Sequence, residues 1–404
     1  MKILLNCYAC SPCQGSEPGM GWNFVKSLSR LHELHIITAS KFKVDIDCYF
    51  EQHYEERKNF HFYFIEKNRH KTLRKIWPPS YYWYYNAWQK KAYKLAITLD
   101  KNEHFEVIHQ LNMVGYREPG YLWKLGKPFV WGPIGGFDIT PWRMLPSMGL
   151  KGFVYYFSRN ILNQWQMYSS LRVRRAMKRA DAIISATKSQ YDYIHQLYDR
   201  ESTIIPEVGL QEFQSARVNC RHDGEPLRIC WSGQHTPGKA LNLLLKALAL
   251  SERNDIELHV IGEGSESSRW KKLANSLSLQ NIVWYGWVDI DKAHQIMKGC
   301  HLLCITSLKD LTSTVLLEGL SYALPVIALD HCGFSNVITD ECGWKIQIKN
   351  EKQVIHDLSY VITEIVDNES LRSRLAEGAL RRAKDYNWED KAKAITEIYE
   401  SVSV

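Results

Sequence analysis

Two carboxylates, a lysine and a run of small polar residues have the types and spacing to hold a phosphorylated, hydroxyl-rich ligand. Asp310 and Glu318 are separated by seven residues in Ser307-Leu-Lys-Asp310-Leu-Thr-Ser-Thr-Val-Leu-Leu-Glu318, and Ala323-Leu-Pro325-Val-Ile-Ala follows shortly after. An apolar run precedes this segment, so the pattern predicts strand, helix, strand. Thr312, Ser313 and Thr314 then stand at a helix N-terminus, whose free N–H groups and positive dipole end attract phosphate or sugar oxygens. Glu318, four residues after Thr314 on the same face, lies among apolar neighbours. A carboxylate there can accept hydrogen bonds from two vicinal hydroxyls, as on a ribose. For an isolated pair, an N-cap aspartate with a helix-face glutamate is the plainer reading.

Other constellations have the same character. Ser232-Gly233-Gln234-His235-Thr236-Pro237-Gly238-Lys239 lies between an apolar run and the amphipathic stretch from Leu241. A lysine at such a glycine-containing turn can neutralise a leaving diphosphate, although by itself it is more often an ordinary helix-start lysine. Gly262-Glu-Gly264 ends another run and lacks the third glycine of a dinucleotide fingerprint. Gly286-Trp287-Val288 ends a further one. In the first half, Gly15-Ser16-Glu17-Pro18-Gly19-Met20-Gly21-Trp22 follows the first strand candidate, where glycines permit close backbone approach to an anion; a turn with no ligand is the alternative. His109 ends Val107-Ile108-His109, a place where a satisfied core histidine is commoner than a catalyst. Gly132-Pro-Ile-Gly135-Gly136 is a further loop candidate.

The elements that must position these groups form a repeated pattern. Buried-strand runs alternate with amphipathic stretches twice along the 404 residues, predicting an α/β protein of two Rossmann-like, doubly wound parallel-sheet domains. Strands are predicted at 2–7, 35–39, 61–65, 107–110, 128–131 and 182–187, then at 227–231, 256–261, 282–285, 301–306 and 325–329, with helices at 22–31 and 87–99 among those between them. The polar stretch 211–226 reads as a linker. Such domains bind ligands beyond the carboxyl ends of their strands. Hydrophobic content of 45% and charged content of 24% exclude a disordered tail or a coiled coil. No window approaches the roughly 18 apolar residues of a membrane span, and the start lacks the apolar core of a secretory peptide. Ten cysteines in such a chain read as reduced thiols, so the expectation is a cytoplasmic protein without disulfides.

Taken together, these segments resemble the retaining glycosyltransferases of the GT-B fold, family 4, also called glycosyl transferases group 1. The resemblance is strongest from Leu227 to Trp388. It implies an acceptor-binding domain at 1–207, a linker at 208–225, a nucleotide-sugar-binding domain at 226–385, and a C-terminal helix, 386–404, that crosses back to the first domain. It further implies that Glu318 holds the nucleotide ribose, that Asp310 and the amides at Thr312, Ser313 and Thr314 hold the donor sugar, and that Lys239 faces the diphosphate. Gly233, Gln234, Gly262, Trp287 and Val288 belong to the same donor side, and the Gly15-Ser16 loop meets the diphosphate and sugar. His109 matches the first of two alternate histidines of the family and is carried as a catalytic candidate; Leu111 occupies the second place. Glu17, Trp77, Trp83, Arg117 and Gly135 are the acceptor-side candidates. This chain has Asp310 where the family usually has Glu, Leu311-Thr312-Ser313 for Gly-Phe-Gly, and Gln234 for an Arg. The implied reaction moves a sugar from a UDP- or GDP-type donor to a hydroxyl of a glycan or lipid-linked acceptor, without a cofactor or metal. An epimerase or hydrolase on the same scaffold, or a glycan- or nucleotide-binding protein without catalysis, are the alternatives.

Other signals carry less. Cys7, Cys10 and Cys13 lack the fourth thiolate of an iron–sulfur run. Asp45-Ile-Asp47 and Asp289-Ile-Asp291 spell a cation-binding DxD but end no long apolar strand. The modest excess of 51 Lys and Arg over 44 Asp and Glu does not require nucleic acid as a partner. Arg172, Arg174, Arg175, Lys178 and Arg179 read as the solvated face of an amphipathic helix. Lys67, Arg69, Lys71, Arg74 and Lys75, followed by Trp77 and the aromatic run to Trp88, suit the acceptor or an anionic membrane surface at the cytoplasmic face.

Overall fold

The computed structural model describes residues 1–67, 80–211, 217–222 and 224–403. Trp77 and the basic positions 69–75 lie outside the described residues. The chain divides into two compact units: Met1–Phe137, Gln166–Glu207 and Trp388–Val404 form the first, Asp138–Trp165 and Val208–Asn387 the second.

The first unit is built on a seven-stranded sheet in the order β3-β2-β1-β4-β5-β6-β7. Its strands are β1 (Lys2–Cys7), β2 (Glu33–Ala39), β3 (Phe60–Ile65), β4 (Val107–Asn112), β5 (Phe129–Ile134), β6 (Ala182–Ser185) and β7 (Thr203–Ile204), and all the pairings are parallel. The near-continuous apolar runs follow from burial on both faces of a parallel sheet. The predicted helix at 22–31 begins earlier, at Ser16, and runs to Leu28. Pro18 is tolerated there because first-turn N–H groups have no intrahelical acceptor. The strand predicted to reach Thr187 stops at Ser185, and the Thr187 side chain instead caps the Lys188–Tyr198 helix. The closing helix, Trp388–Val402, completes this unit: Trp388 sets its ring edge against Phe24 at 4.8 Å, and His32 Nε2 meets Thr396 Oγ1 at 2.8 Å.

The second unit carries a six-stranded parallel sheet in the order β10-β9-β8-β11-β12-β13. The strands are β8 (Leu227–Ser232), β9 (Ile256–Ile261), β10 (Ile282–Gly286), β11 (Leu302–Ile305), β12 (Val326–Leu329) and β13 (Gly343–Ile346). The Leu241–Ser251 helix is apolar almost all round and is buried on one face of this sheet beside Trp231 and Trp270; the Thr314–Ser321 helix packs Leu316, Leu317 and Leu320 on the other. Residues 138–165, read from sequence as part of the first domain, pack here. Met144, Leu145, Met148 and Tyr156 join the same cluster as Leu241 and Leu244, and Asn242 Nδ2 donates to the Ser147 carbonyl at 3.2 Å. In both sheets the strand order reverses beside the first strand, between β1 and β4 and between β8 and β11, and loops diverge there.

Candidate functional site

The reversal between β8 and β11 brings the two most chemical loops of the second unit together. The loop after β8 ends in a short turn, Pro237–Lys239, and Ala240 takes a left-handed conformation before the Leu241 helix. The Lys239 carbonyl accepts from Thr306 Oγ1 at 2.8 Å, and Trp231 Nε1 donates to that hydroxyl at 3.0 Å. Leu308 N donates to the Gly238 carbonyl at 2.8 Å, which ties the loop after β11 to the same turn. Held by these bonds, Lys239 Nζ lies 2.5 Å from Asp310 Oδ2, both side chains half-buried. Asp310 Oδ1 accepts from Leu311 N at 3.1 Å. Ser313, at φ +71°, precedes the Thr314–Ser321 helix, and Thr312 is buried.

Of the glycines named from sequence in this unit, Gly262, Gly264 and Gly286 are required by the way the loops interlock. Gly262 has φ +116°, and a Cβ there would lie 2.1 Å from the Gly233 carbonyl oxygen. Gly233 N donates to the Ile261 carbonyl at 3.1 Å, and Gly262 N to that of Gly286 at 2.8 Å. Beside this knot is a cavity of about 420 Å3 lined by His235, Glu263, Gly264, Ser267, Lys271 and Trp284, among others. His235 Nδ1 meets Ser267 Oγ at 2.8 Å, and burial pushes its pKa down to about 4, so the ring is neutral. Lys271 carried no motif and is recognisable only once the strand ends converge, whereas Glu263 stands inside the Gly262-Glu-Gly264 motif and Trp284 on the strand that ends at Gly286. Trp287 is 77% exposed beyond β10, and Val288 packs against the core under the Thr314 helix.

Glu318 is half-buried, with Oε1 3.4 Å from His294 Nε2 on the Ile290–Lys298 helix. The carboxylate raises the His294 pKa above its ordinary value, outweighing desolvation. His294 had no local signature, because its partner is reached only through tertiary packing. Gln234 is exposed in the loop after β8.

In the first unit, the loops after β1 and β4 are tied by Asn112, whose side chain donates to the Ala9 carbonyl at 2.7 Å and accepts from Ala9 N at 3.2 Å. Glu17 Oε1 accepts from Val114 N at 2.8 Å, and burial pushes its carboxyl pKa up. Gly15 and Ser16 are exposed at the start of the Ser16–Leu28 helix, with Ser16 left-handed. Gly21 is there for packing, since a Cβ would meet the Ala9 carbonyl oxygen at 2.1 Å. Gly135 forms a backbone bridge with Gly115, and the Arg117 guanidinium lies 5.1 Å from the Tyr116 ring centre. Trp83 is 61% exposed, whereas Tyr85 and Trp88 of the same aromatic run pack edge-on against Tyr8 in the core. His109 is not placed to touch a ligand: it is fully buried, Nδ1 bonded to Tyr399 Oη at 2.6 Å and Nε2 to the Gly132 carbonyl at 2.7 Å. Its position beside β5 and the closing helix makes it a core histidine, with its pKa pushed down to about 4 by burial. Asp45 and Asp289 serve locally, the first accepting from Ser11 Oγ and Gln14 Nε2, the second capping the Ile290–Lys298 helix. All ten cysteines are free thiols.

Residues 213–382, which include Lys239, Asp310 and Glu318, match the family described as glycosyl transferases group 1. Over this stretch the chain is similar to that family. Sequence relatives include an uncharacterized glycosyltransferase of Methanocaldococcus jannaschii, 26% identical over 171 residues that make up 42% of this chain and 47% of that protein. The D-inositol 3-phosphate glycosyltransferase of a Nocardioides species is 22% identical over 253 residues, 56% of this chain and 54% of that one. The chain therefore spans about half the length of the curated relatives it matches. Among solved structures, HepE of Anabaena in complex with UDP superposes with a TM-score of 0.65 at 15% identity, covering 99% of this chain and 100% of that one. Sucrose-phosphate synthase of Thermosynechococcus elongatus gives 0.68 at 14% identity, covering 99% and 98%. These likenesses show that the fold is GT-B.

Proposed function

We propose that this chain is a retaining glycosyltransferase that moves a sugar from a UDP- or GDP-type donor to a hydroxyl of a glycan or lipid-linked acceptor, in cell-surface polysaccharide or glycolipid synthesis. The observation that carries the reading is the meeting of Lys239 and Asp310 where the strand order reverses, within the stretch that matches the family. An ammonium held at that turn supplies positive charge where a sugar–phosphate bond breaks and the diphosphate departs. The N-terminus of the Thr314 helix adds its dipole, with Thr312, Ser313 and Thr314 at its start. Glu318 is suited to accept from the ribose hydroxyls. Gly233, Gln234, Gly262, Trp287 and Val288 complete the donor loops. Asp310, on release from Lys239, can accept from a hydroxyl of the transferred sugar. The reading calls for no strong base, since an oxygen of the leaving phosphate can take the acceptor proton. HepE in complex with UDP and with UDP-glucose favours the uridine donor. The loops of the first unit around Glu17, Arg117 and Gly135, with Trp83, are assigned to the acceptor.

The test is thermal unfolding against a panel of nucleotides and nucleotide sugars in EDTA, followed by product analysis with an acceptor panel. Saturation to about a hundred dissociation constants adds ~2.7 kcal/mol, which at about 2–4 °C per kcal/mol for units of this size is a shift of roughly 5–11 °C. A shift with one base's sugar nucleotides and acceptor-dependent product is expected. No shift together with no product would overturn the reading, and product formed without an acceptor would replace it by epimerisation or hydrolysis.

A further inference from the structure

The Gly149–Ser169 helix carries its apolar stripe on the outside. Leu150, Val154, Phe157, Ile161 and Trp165 recur at steps of four, three, four and four, and all five are exposed, Leu150 by 82% and Trp165 by 64%. The face turned into the second unit holds Gly152, Tyr156, Asn160 and Asn163 instead. Asn160 fixes it there by accepting from Thr140 N at 3.0 Å and donating to the Thr140 carbonyl at 2.7 Å, and Tyr156 packs in the core beside Met148. A surface helix ordinarily buries its apolar stripe, and contiguous exposed apolar surface of this kind marks an interaction site.

Charge identifies the occupant. From Ile139 to Trp165, a part of the chain that packs in the second unit, there is no Asp or Glu, while three Lys and Arg occur. Arg143, Lys151 and Arg159, beside the stripe, are all exposed. Exposed Leu, Ile, Phe and Trp on a helix flanked only by cations match the chemistry of an anionic bilayer surface: rings and alkyl groups enter the headgroup boundary and the cations meet lipid phosphates. We propose that this face is a docking surface for an anionic lipid bilayer, with the helix lying in the headgroup plane. The proposal stands on the helix alone and does not depend on the transfer reading; if that reading holds, it brings the enzyme to a lipid-linked acceptor.

The test is flotation of the full chain with vesicles of phosphatidylcholine alone or phosphatidylcholine containing phosphatidylglycerol, at low and moderate salt. The chain is expected to float with the anionic vesicles and stay down with the neutral ones. Ile161→Glu combined with Trp165→Glu should cut vesicle binding at least about tenfold while leaving the melting temperature and the nucleotide-induced shift unchanged. Lys151→Glu with Arg159→Glu, which spares the stripe, should abolish the preference for anionic lipid. Tyr360→Glu, an exposed aromatic on a different helix, should float as the unaltered chain does. A chain that stays down with anionic vesicles at low salt, or a double variant that floats equally well, would overturn the proposal. So would light scattering showing a dimer that the Ile161/Trp165 variant dissociates, because the face would then belong to a second copy. The nucleotide shift is read in solution without lipid, so loss of docking and loss of the donor site are separate results.

Discussion

Lys239 and Asp310 neutralise each other at 2.5 Å, so a diphosphate that recruits the ammonium also releases the carboxylate. Replacing Lys239 by Ala leaves Asp310 as an uncompensated anion in the same place. The transfer rate should fall roughly a hundredfold to a thousandfold, as when a single transition-state charge partner is removed, and the thermal shift with nucleotide sugars should vanish; unchanged kinetics would sink the assignment. Glu318 makes a second prediction. Because its carboxylate raises the His294 pKa, the ion pair contributes stability below the ordinary histidine range near 6.5, and that contribution is lost as pH rises through the elevated value. An NMR titration of the histidine ring protons should place His294 above 6.5, and Glu318→Gln should bring it back down and weaken donor binding; an unmoved titration would remove the coupling. Lys239, Asp310 and Glu318 were legible as candidates because each is set by a short local spacing. His294 was not, since 24 residues and a neighbouring helix separate it from Glu318, and His109 misled because a core histidine and a catalytic one look alike on a strand.

The loops of the second unit owe their shape to close backbone approach, and Gly262 is the tightest point of the candidate site. At φ +116° and 2.1 Å from the Gly233 carbonyl oxygen, an added methyl group has neither an allowed conformation nor space. Gly262→Ala should destabilise the second unit by about 2 kcal/mol or more and abolish the nucleotide shift. Denaturant unfolding with a second-unit reporter measures the first, and wild-type stability would mean that the loops can part without cost. Element recognition followed run length. β1 and β9 were predicted to the residue, each being six residues long with four apolar ones, whereas two-residue β7 and four-residue β13, which begins at Gly343 and carries Lys345, offered no run to read. The Ser16–Leu28 helix was placed six residues late because Pro18, Gly19 and Gly21 usually signal a turn.

For the molecule as a whole, the two-unit plan was legible and the path of the chain was not. Residues 138–165 follow the first sheet's β5 directly, and nothing local says that Met144 and Met148 pack beside Leu241. The closing helix matters in the same way. Trp388, Ile395 and Tyr399 are buried in the first unit, at about 1.5–3 kcal/mol each, against a total of about 5–15 kcal/mol for a typical domain. Ending the chain after Asn387 should therefore unfold the first unit while leaving the second folded. Hydrogen exchange would show it as lost protection in β1 and β4 with β8 and β11 still protected; retained protection throughout would show that the helix is dispensable. The interleaved path also sets an order of events on the ribosome. The first unit is begun first, but Phe24, His32 and His109 lack their partners Trp388, Thr396 and Tyr399 until the closing helix emerges, roughly 15–50 s after Phe137 at 5–20 residues per second. The second unit, whose last residue is Asn387, has all its segments in hand before then. Of the two units, the one begun earlier is thus the one finished later, and over that interval its open core is the surface a chaperone would have to guard.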